Sequence, residues 1–310
     1  LDGGRLEVTL HGFALVVTGP AGALALGAEL LAHFGATPSS GGSAPLALEV
    51  VDGPPPAPTQ LRTTAQHLDV AIARDGASLW LTSPTATTRI EADGRHSTTW
   101  TRTPLPLHVF SCVLFHQLRL RGLYALHAGA VALEGRACLV VGASGTGKST
   151  LVLGLARAGW ALVSDDSVLL ARRGSGLEVL ALRRGIFLDP ATAGPGEWRA
   201  CPLLEGRKQE LLVPDLVRAA RATPALLLSS ELVHQAETSF EPLSQAEATF
   251  ALARESRLGE LDRDGASDHL QVLSSLAATT PAVRARLGRD VVDHPAAVAE
   301  RLRALLEAAR

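Results

Sequence analysis

The chain has 310 residues, with 29 basic against 31 acidic side chains, a formal net charge of −2 and 46% hydrophobic content. That length suggests two domains, and the apolar content is ample for buried cores, so disordered, collagen-like and disulfide-scaffold classes are excluded. The near-balanced charge argues against a nucleic-acid partner, and the three cysteines, Cys112, Cys138 and Cys201, are read as reduced thiols outside any metal-ligand cluster.

Residues 5–18 alternate loosely and predict a strand or hairpin, while 21–35, rich in Ala and Leu, predict a helix. Loops are predicted at 36–45 and 53–58. Strands are predicted at 68–73, 77–82, 85–90 and 96–101, with the Asp-Gly pairs at 75–76 and 93–94 as turns. These elements make residues 1–103 a small β-rich α+β domain. Pro104 and Pro106 mark its end, and a second domain over 104–310 begins with a mostly buried helix at 107–119. Two strands follow, Tyr124 to Leu133 and Arg136 to Val141, about a Glu134-Gly135 turn. Next come a helix at 148–158, a strand from Ala161 to Ser164 and a hairpin over 167–181.

The stretch 189–198 predicts a flexible flap, 214–223 a helix and 225–229 a core strand. The rest is read as chiefly helical, ending in a helix over 296–309 with Val298, Leu302, Leu305 and Leu306 on one face. No apolar run approaches the roughly 18 residues of a membrane span, and the segment LDGGRLEVTL does not read as a signal peptide. A cytoplasmic protein with no membrane partner is expected.

The chemistry concentrates in residues 142–149. Gly142, Ala143, Ser144, Gly145, Thr146, Gly147, Lys148 and Ser149 form a complete G-x-x-x-x-G-K-S phosphate-binding loop, between the apolar segment 138–141 and a helix-forming run that opens with Ser149 and Thr150. Glycines let successive backbone N–H groups approach phosphate, and the helix N-terminus adds positive potential. Lys148 would reach the β- and γ-phosphates of ATP, and the Ser149 hydroxyl would ligate Mg²⁺. Lys148 and Lys208 are the only lysines in the chain, which weakens a generic surface reading for either. No N-K-x-D guanine-reading segment occurs, so a GTPase is the least supported nucleotide class.

Asp165 and Asp166 end the strand that follows the loop helix. In one assignment Asp165 is the base that accepts a proton from an attacking hydroxyl, and Asp166 is the second Mg²⁺ ligand. The strand at 226–231, LLLSSE, carries no aspartate, which favours phosphoryl transfer over simple hydrolysis.

The segment His127 through Asp166, HAGAVALEGRACLVVGASGTGKSTLVLGLARAGWALVSDD, resembles the catalytic core of HPr kinase/phosphorylase. The resemblance implies an α/β, phosphoenolpyruvate-carboxykinase-like P-loop kinase domain that phosphorylates a protein serine with ATP and Mg²⁺. It places His127 near the transferring phosphate and Asp165 on the acceptor hydroxyl. The chain departs from the family pattern at Lys148-Ser149-Thr150, where the family favours an acidic third residue. It departs again at Ala181-Leu182-Arg183-Arg184-Gly185, where the family has E-I-R-G. It is more similar to the divergent relatives found in peptide natural-product clusters, whose basic segment after the core resembles Gly206-Arg207-Lys208. Arg207 and Lys208 are accordingly expected on the acceptor side, and a homo-oligomer is in keeping with the resemblance.

The expected function is therefore a Mg²⁺-ATP-dependent kinase of a serine hydroxyl in a peptide or protein. Two alternatives share these residues: a kinase of a small hydroxylated metabolite, and an ATP-hydrolysing switch or nucleotide-binding module. Asp189, Glu197 and Glu205 are further candidates for a metal-side carboxylate, while His108 and His116 read as core or boundary residues.

Overall fold

The computed structural model describes residues 4–39, 45–56, 62–67, 70–102, 105–174, 176–183, 185–193, 195–201, 208–256 and 263–308. Among the described residues no helix is long and apolar enough to cross a membrane. The chain divides into two compact units, residues 1–124 with 258–269, and residues 125–257 with 270–310. This division differs from the expected ranges 1–103 and 104–310.

The first unit is built on a mixed nine-stranded sheet. Its elements are β1 (Gly4–Leu10), β2 (Phe13–Gly19), α1 (Ala21–His33), β3 (Thr37–Pro38), β4 (Leu46–Asp52), β5 (Arg62–His67), β6 (Val70–Asp75), β7 (Ser78–Thr82), β8 (Ala86–Ile90), β9 (His96–Thr101) and α2 (Leu107–Arg119). The strand order is β3-β1-β2-β4-β9-β8-β7-β6-β5. The predicted Asp-Gly turns close β6 to β7 and β8 to β9, with Gly76 and Gly94 at positive φ. Strand β4 falls between two loop-like stretches and is absent from the sequence reading, yet it pairs in parallel with both β2 and β9. The helix α2 belongs with this unit because Phe110 packs where Gly27 of α1 leaves room beside Val17.

The second unit continues with β10 (Leu123–Leu126), β11 (Ala128–Leu133), β12 (Arg136–Val141), α3 (Lys148–Arg157), β13 (Ala161–Ser164), β14 (Val168–Arg173), β15 (Gly176–Ala181), β16 (Ile186–Leu188) and α4 (Pro190–Ala193). After these come β17 (Trp198–Arg199), β18 (Gln209–Leu211), β19 (Arg221–Leu232), β20 (Ser239–Pro242), α5 (Gln245–Arg254), α6 (Arg263–Thr279), whose residues to 269 count with the first unit, β21 (Ala282–Leu287), α7 (Asp290–Asp293) and α8 (Pro295–Ala308). The main sheet runs β10-β14-β15-β19-β12-β11-β13, and β21 adds beside β19 with β20 outside it. Strands β12, β19 and β21 are parallel, so their carboxyl ends open on the same edge of the sheet. That edge is where open α/β sheets place their ligands.

Side-chain alternation sorts the two faces. Leu226, Leu228, Val283, Ala285 and Leu287 point into a core with α3 and α8, whereas Arg284 points the other way and meets Glu247 of α5 at 3.4 Å. In α8, Val298, Leu302 and Leu306 are buried on one face, as the sequence period requires.

Several expectations are corrected. The strand expected over Tyr124 to Leu133 breaks at His127 into β10 and β11, which join different parts of the sheet. The strand β13 does not neighbour β12, because β11 lies between them and pairs with both. The helix expected over 214–223 does not form. Leu162 N–H donates to Val217 O at 2.8 Å and Ala219 N–H to Leu162 O at 2.9 Å, so pairing beside β13 overrides local helix preference there. The expected flap at 189–198 contains α4 and leads into β17, part of a small sheet ordered β16-β18-β17. The C-terminal part also carries β20 and β21, two strands inside a region read as helical.

Leu302 is fully buried between α8 and the sheet, whereas the Val217 side chain is 62% exposed. Leu302→Ala is expected to lower unfolding free energy by about 2–5 kcal/mol. Val217→Ala is expected to change it by no more than about 0.5 kcal/mol. Urea unfolding of the two variants at neutral pH measures both.

Candidate functional site

The loop after β12 is shaped by its neighbour β19. Gly142 has φ +152, and a Cβ there would lie 2.7 Å from both Ser230 Oγ and Thr146 Oγ1 and 2.8 Å from Ser230 O. The hydroxyls of Ser230 and Thr146 lie 2.9 Å apart and reach Val141 O (3.1 Å) and Ala143 O (2.8 Å), fastening the loop to the strand end. The chain then enters α3 through Gly147 at φ +85, with no side chain capping the helix and no acidic residue in its first turn. Such a start leaves backbone donors and the positive end of the helix dipole facing outward.

Lys148, only 6% exposed, donates from Nζ to Gly142 O (2.6 Å) and Ala143 O (3.0 Å). Burial lowers its pKa, an effect that Glu255 and Asp166 oppose electrostatically.

The two aspartates diverge at the end of β13. Ser164, fully buried, bonds through its hydroxyl to both the N–H (2.7 Å) and the carbonyl (2.7 Å) of Arg183, and Asp165 N–H donates to the same carbonyl at 3.0 Å. A tight turn follows, with Asp166 at φ +68 and Ser167 N–H donating to Asp165 O at 2.8 Å. The Asp165 carboxylate is thereby turned fully inward. It accepts from Phe187 N–H at 3.0 Å, while Oδ1 is buried with no hydrogen-bond partner. Burial, reinforced by the neighbouring Asp166 charge, pushes its pKa up to about 6 against the bond from Phe187 and the Ser149 side chain.

Asp166 turns the other way. Its Oδ2 accepts from Arg183 Nη1 at 2.6 Å, and its Oδ1 lies 3.6 Å from His127 Nε2. Burial alone would raise its pKa, but the charges of Arg183, His127 and the two lysines outweigh burial and hold it below the usual carboxylate value. His127 occupies the break between β10 and β11, where its N–H donates to Glu255 O at 3.1 Å and Leu126 bridges to Ser256. Burial lowers the His127 pKa more than Asp166 raises it, which favours the neutral imidazole.

These groups share a cavity of about 440 Å³. Its polar lining is His127, Lys148, Ser149, Asp166, Asp189 and Lys208. Leu232, Leu287, Gly288, Val291 and Val292 form an apolar wall, and Phe187 and Leu188 add to the apolar lining. Ser144, Gly145, Gly147 and Thr150 complete the loop's contribution. Ala143 and Thr146 instead line a second cavity of about 640 Å³ on the loop's other flank, together with Phe250, Arg254 and Arg284.

Most of the residues selected from sequence therefore meet, with exceptions. Asp165 lies behind the cavity, not on its surface. Arg207, Glu205 and Arg184 lie outside the described residues. Glu197 is exposed, His108 is exposed and His116 is buried. Cys138 is fully buried, and burial pushes its thiol pKa up. Among the described residues no group of three His, Cys, Asp or Glu side chains forms a metal cluster. The sequence reading did not include Phe187, Glu255 or the apolar wall in the site. They act through backbone groups, generic apolar side chains or, for Glu255, a charge brought close by the fold, none of which leaves a local motif.

No family model matches the chain, and no curated protein matches it. Among solved structures, the chain is similar in part to the Hpr(Ser) kinase/phosphatase from Coxiella burnetii, at 17% identity over 58% of this chain and 88% of that one, with a TM-score of 0.32.

The buried Asp165 carboxylate yields a pH-dependent prediction. Its folded pKa lies above the unfolded value, so its charge works against folding in full above about pH 6, and this effect disappears as pH falls toward the ordinary carboxylate value of 3.8. Asp165→Asn, which keeps an acceptor for Phe187 N–H, is expected to raise stability at pH 8 by roughly 1–3 kcal/mol. The gain is expected to shrink through pH 6 and vanish near pH 4, as measured by urea unfolding across that range.

Proposed function

We propose that the chain is a Mg²⁺-ATP-dependent phosphotransferase acting on a hydroxyl acceptor, with a serine of a peptide or protein as the preferred class. The observation that carries this reading is the meeting of the 142–149 loop, Lys148, Asp166 and His127 in one cavity at the carboxyl ends of parallel strands. A phosphoenolpyruvate-carboxykinase-like kinase domain is the fold class we assign to residues 125–310 on the same grounds.

The residues fit a nucleotide and its metal. The uncapped start of α3, the glycine at 142 packed under Ser230, and the buried ammonium of Lys148 suit phosphate oxygens. The apolar wall, which reaches Gly147 through Leu287 and Leu232, suits the nucleobase. The partnerless Oδ1 of Asp165 suits a hard cation. Ser149 and Asp165 would thus hold Mg²⁺, whose chemistry is to neutralise charge on the phosphates. This exchanges the roles read from sequence, because Asp165 is buried behind the loop and Asp166 faces the cavity.

The acceptor hydroxyl approaches from the side of Asp166, His127 and Lys208. Asp166 Oδ1 takes its proton, with His127 Nε2 beside it to orient the carboxylate and exclude water. Arg183 fixes the other carboxylate oxygen and keeps the group ionised, so that it can accept. Lys148 and Lys208 stabilise negative charge on the transferring group, and catalysis is chiefly alignment and electrostatics.

Transfer of labelled γ-phosphate from ATP to separated peptide and small-molecule fractions tests the reading. Wild-type protein is expected to label the peptide fraction. Lys148→Ala and Asp166→Asn are each expected to lose about 10²-fold or more in rate. Label in the small-molecule fraction would transfer the assignment to a metabolite kinase, and label confined to inorganic phosphate would make the chain an ATPase switch. Turnover that survives Lys148→Ala would reject the loop as the phosphate site.

A further inference from the structure

Behind the apolar wall of the cavity lies a buried polar cluster that the proposed chemistry does not use. Asp290 opens α7 and is 7% exposed. Its carboxylate accepts from Thr238 N–H (2.9 and 3.0 Å) and from the Thr238 hydroxyl (2.6 Å). Arg301, from α8, donates to Asp290 Oδ2 and to Thr238 O, the latter at 2.8 Å. The Thr238 hydroxyl in turn accepts from Gly288 N–H at 3.0 Å. Backbone bonds from Arg289 to Gln235 O and from Asp290 to Ala236 O, both 3.0 Å, close the connection 233–238 onto the end of β21. The fit leaves no room for a side chain at Gly288, where a Cβ would lie 2.5 Å from the Glu237 backbone.

Leu287 and Val291 anchor the wall in the core with α3 and α8, and this cluster adds a second, polar anchor for the backbone around them. The helix α7 has four residues, too few to hold a shape by itself. It nevertheless carries Val291 and Val292 into the cavity, next to Leu287 and Gly288. Val292 is 68% exposed, so packing into the core does not fix it. The polar cluster holds the backbone of α7 that carries it. Burial pushes the Asp290 pKa up, but the bonds from Thr238 and Arg301 outweigh it and keep the carboxylate ionised. An apolar plug could close the same gap at no cost in stability, since buried charge networks seldom outperform hydrophobic replacements. What the directional bonds add is a fixed position for the 287–292 backbone.

We propose that Asp290, acting through Thr238 and Arg301, is a positioning residue that holds the 287–292 wall against the nucleobase and sets nucleobase affinity separately from the phosphate grip of the loop. The inference rests on the nucleotide reading above.

Calorimetric titration of the full-length chain with Mg²⁺-ATP and with Mg²⁺-tripolyphosphate separates the two contributions. Thr238→Val removes the hydroxyl that links Asp290 to Gly288, Asp290→Asn weakens the cluster from the other side, and Thr238→Ser restores the hydroxyl. In Thr238→Val and Asp290→Asn the Kd for ATP is expected to rise about tenfold, the scale of one lost hydrogen bond, with the tripolyphosphate Kd unchanged. Thr238→Ser is expected to bind like wild type. Hydrogen exchange at the 287–293 amides is expected to quicken in the two weakened variants while that at 143–150 does not.

A cooperative urea transition shows that each variant folds, and Thr238→Val with its Ser counterpart suffices if Asp290→Asn does not. The proposal is overturned if ATP affinity survives both substitutions, or if ATP and tripolyphosphate weaken together. Equal binding of ATP and tripolyphosphate by wild type would also overturn it, by removing the base from the wall while leaving the phosphate loop standing. Failure of wild type to bind tripolyphosphate at all would reject the loop reading itself, and this inference with it.

Discussion

The fully buried carboxylate of Asp165 is the constraint around which the site is organised. It joins the end of β13, on which it stands, to β16 through Phe187 N–H, and the Ser149 side chain at the start of α3 favours its charged form. A carboxyl group in that position opposes folding once it ionises, as its raised pKa records. The surrounding sheet has to supply that stability. The Leu, Val and Ile side chains packed between α3, α8 and the strands do so, because apolar burial contributes roughly 25 cal/mol per Å². Strain stored at a functional position and offset by a conventional core is a common division of labour in folded proteins.

The two carboxylates are adjacent in the chain but have opposite environments, and the backbone is the cause. A regular strand would send them to opposite faces. Here the strand has ended, Asp166 takes a left-handed conformation, and Ser164 holds the turn against Arg183. One carboxylate is left with raised pKa among backbone donors, and the other with lowered pKa between a guanidinium and an imidazole. Two like groups whose environments push their pKa values apart can take distinct roles in one reaction. The same turn motivates the exchange of roles proposed above, since a dipeptide gives no information on which member turns inward.

The loop itself was legible because its physical requirement is local: glycines where side chains would collide, then a helix start. The N-terminal hairpins were legible for the same reason, through Asp-Gly turns whose glycines take positive φ. What was missed depends on partners distant in sequence. Strand β4 is held by β2 and β9, residues 216–219 are held beside β13, and His127 is turned by a carbonyl 128 positions away at Glu255. Arg183 was only a weak candidate until Asp166 was seen beside it. In each case non-local pairing decided the local conformation, which propensity and period do not register.

The placement of the two kinds of binding surface follows from that topology. The groups proposed to face phosphate, Lys208 apart, come from one continuous stretch, β12 to β13, whose geometry is set by the loop and its glycines. The apolar wall comes from the ends of β19 and β21 and from α7, segments that meet only after the parallel sheet has formed. On the proposed function, affinity for phosphate and preference for what the phosphate is attached to are carried by separate parts of the chain. A change in the 233–238 connection or in α8 would then alter the second without touching the first, and substrate preference could diverge while the loop remains unaltered.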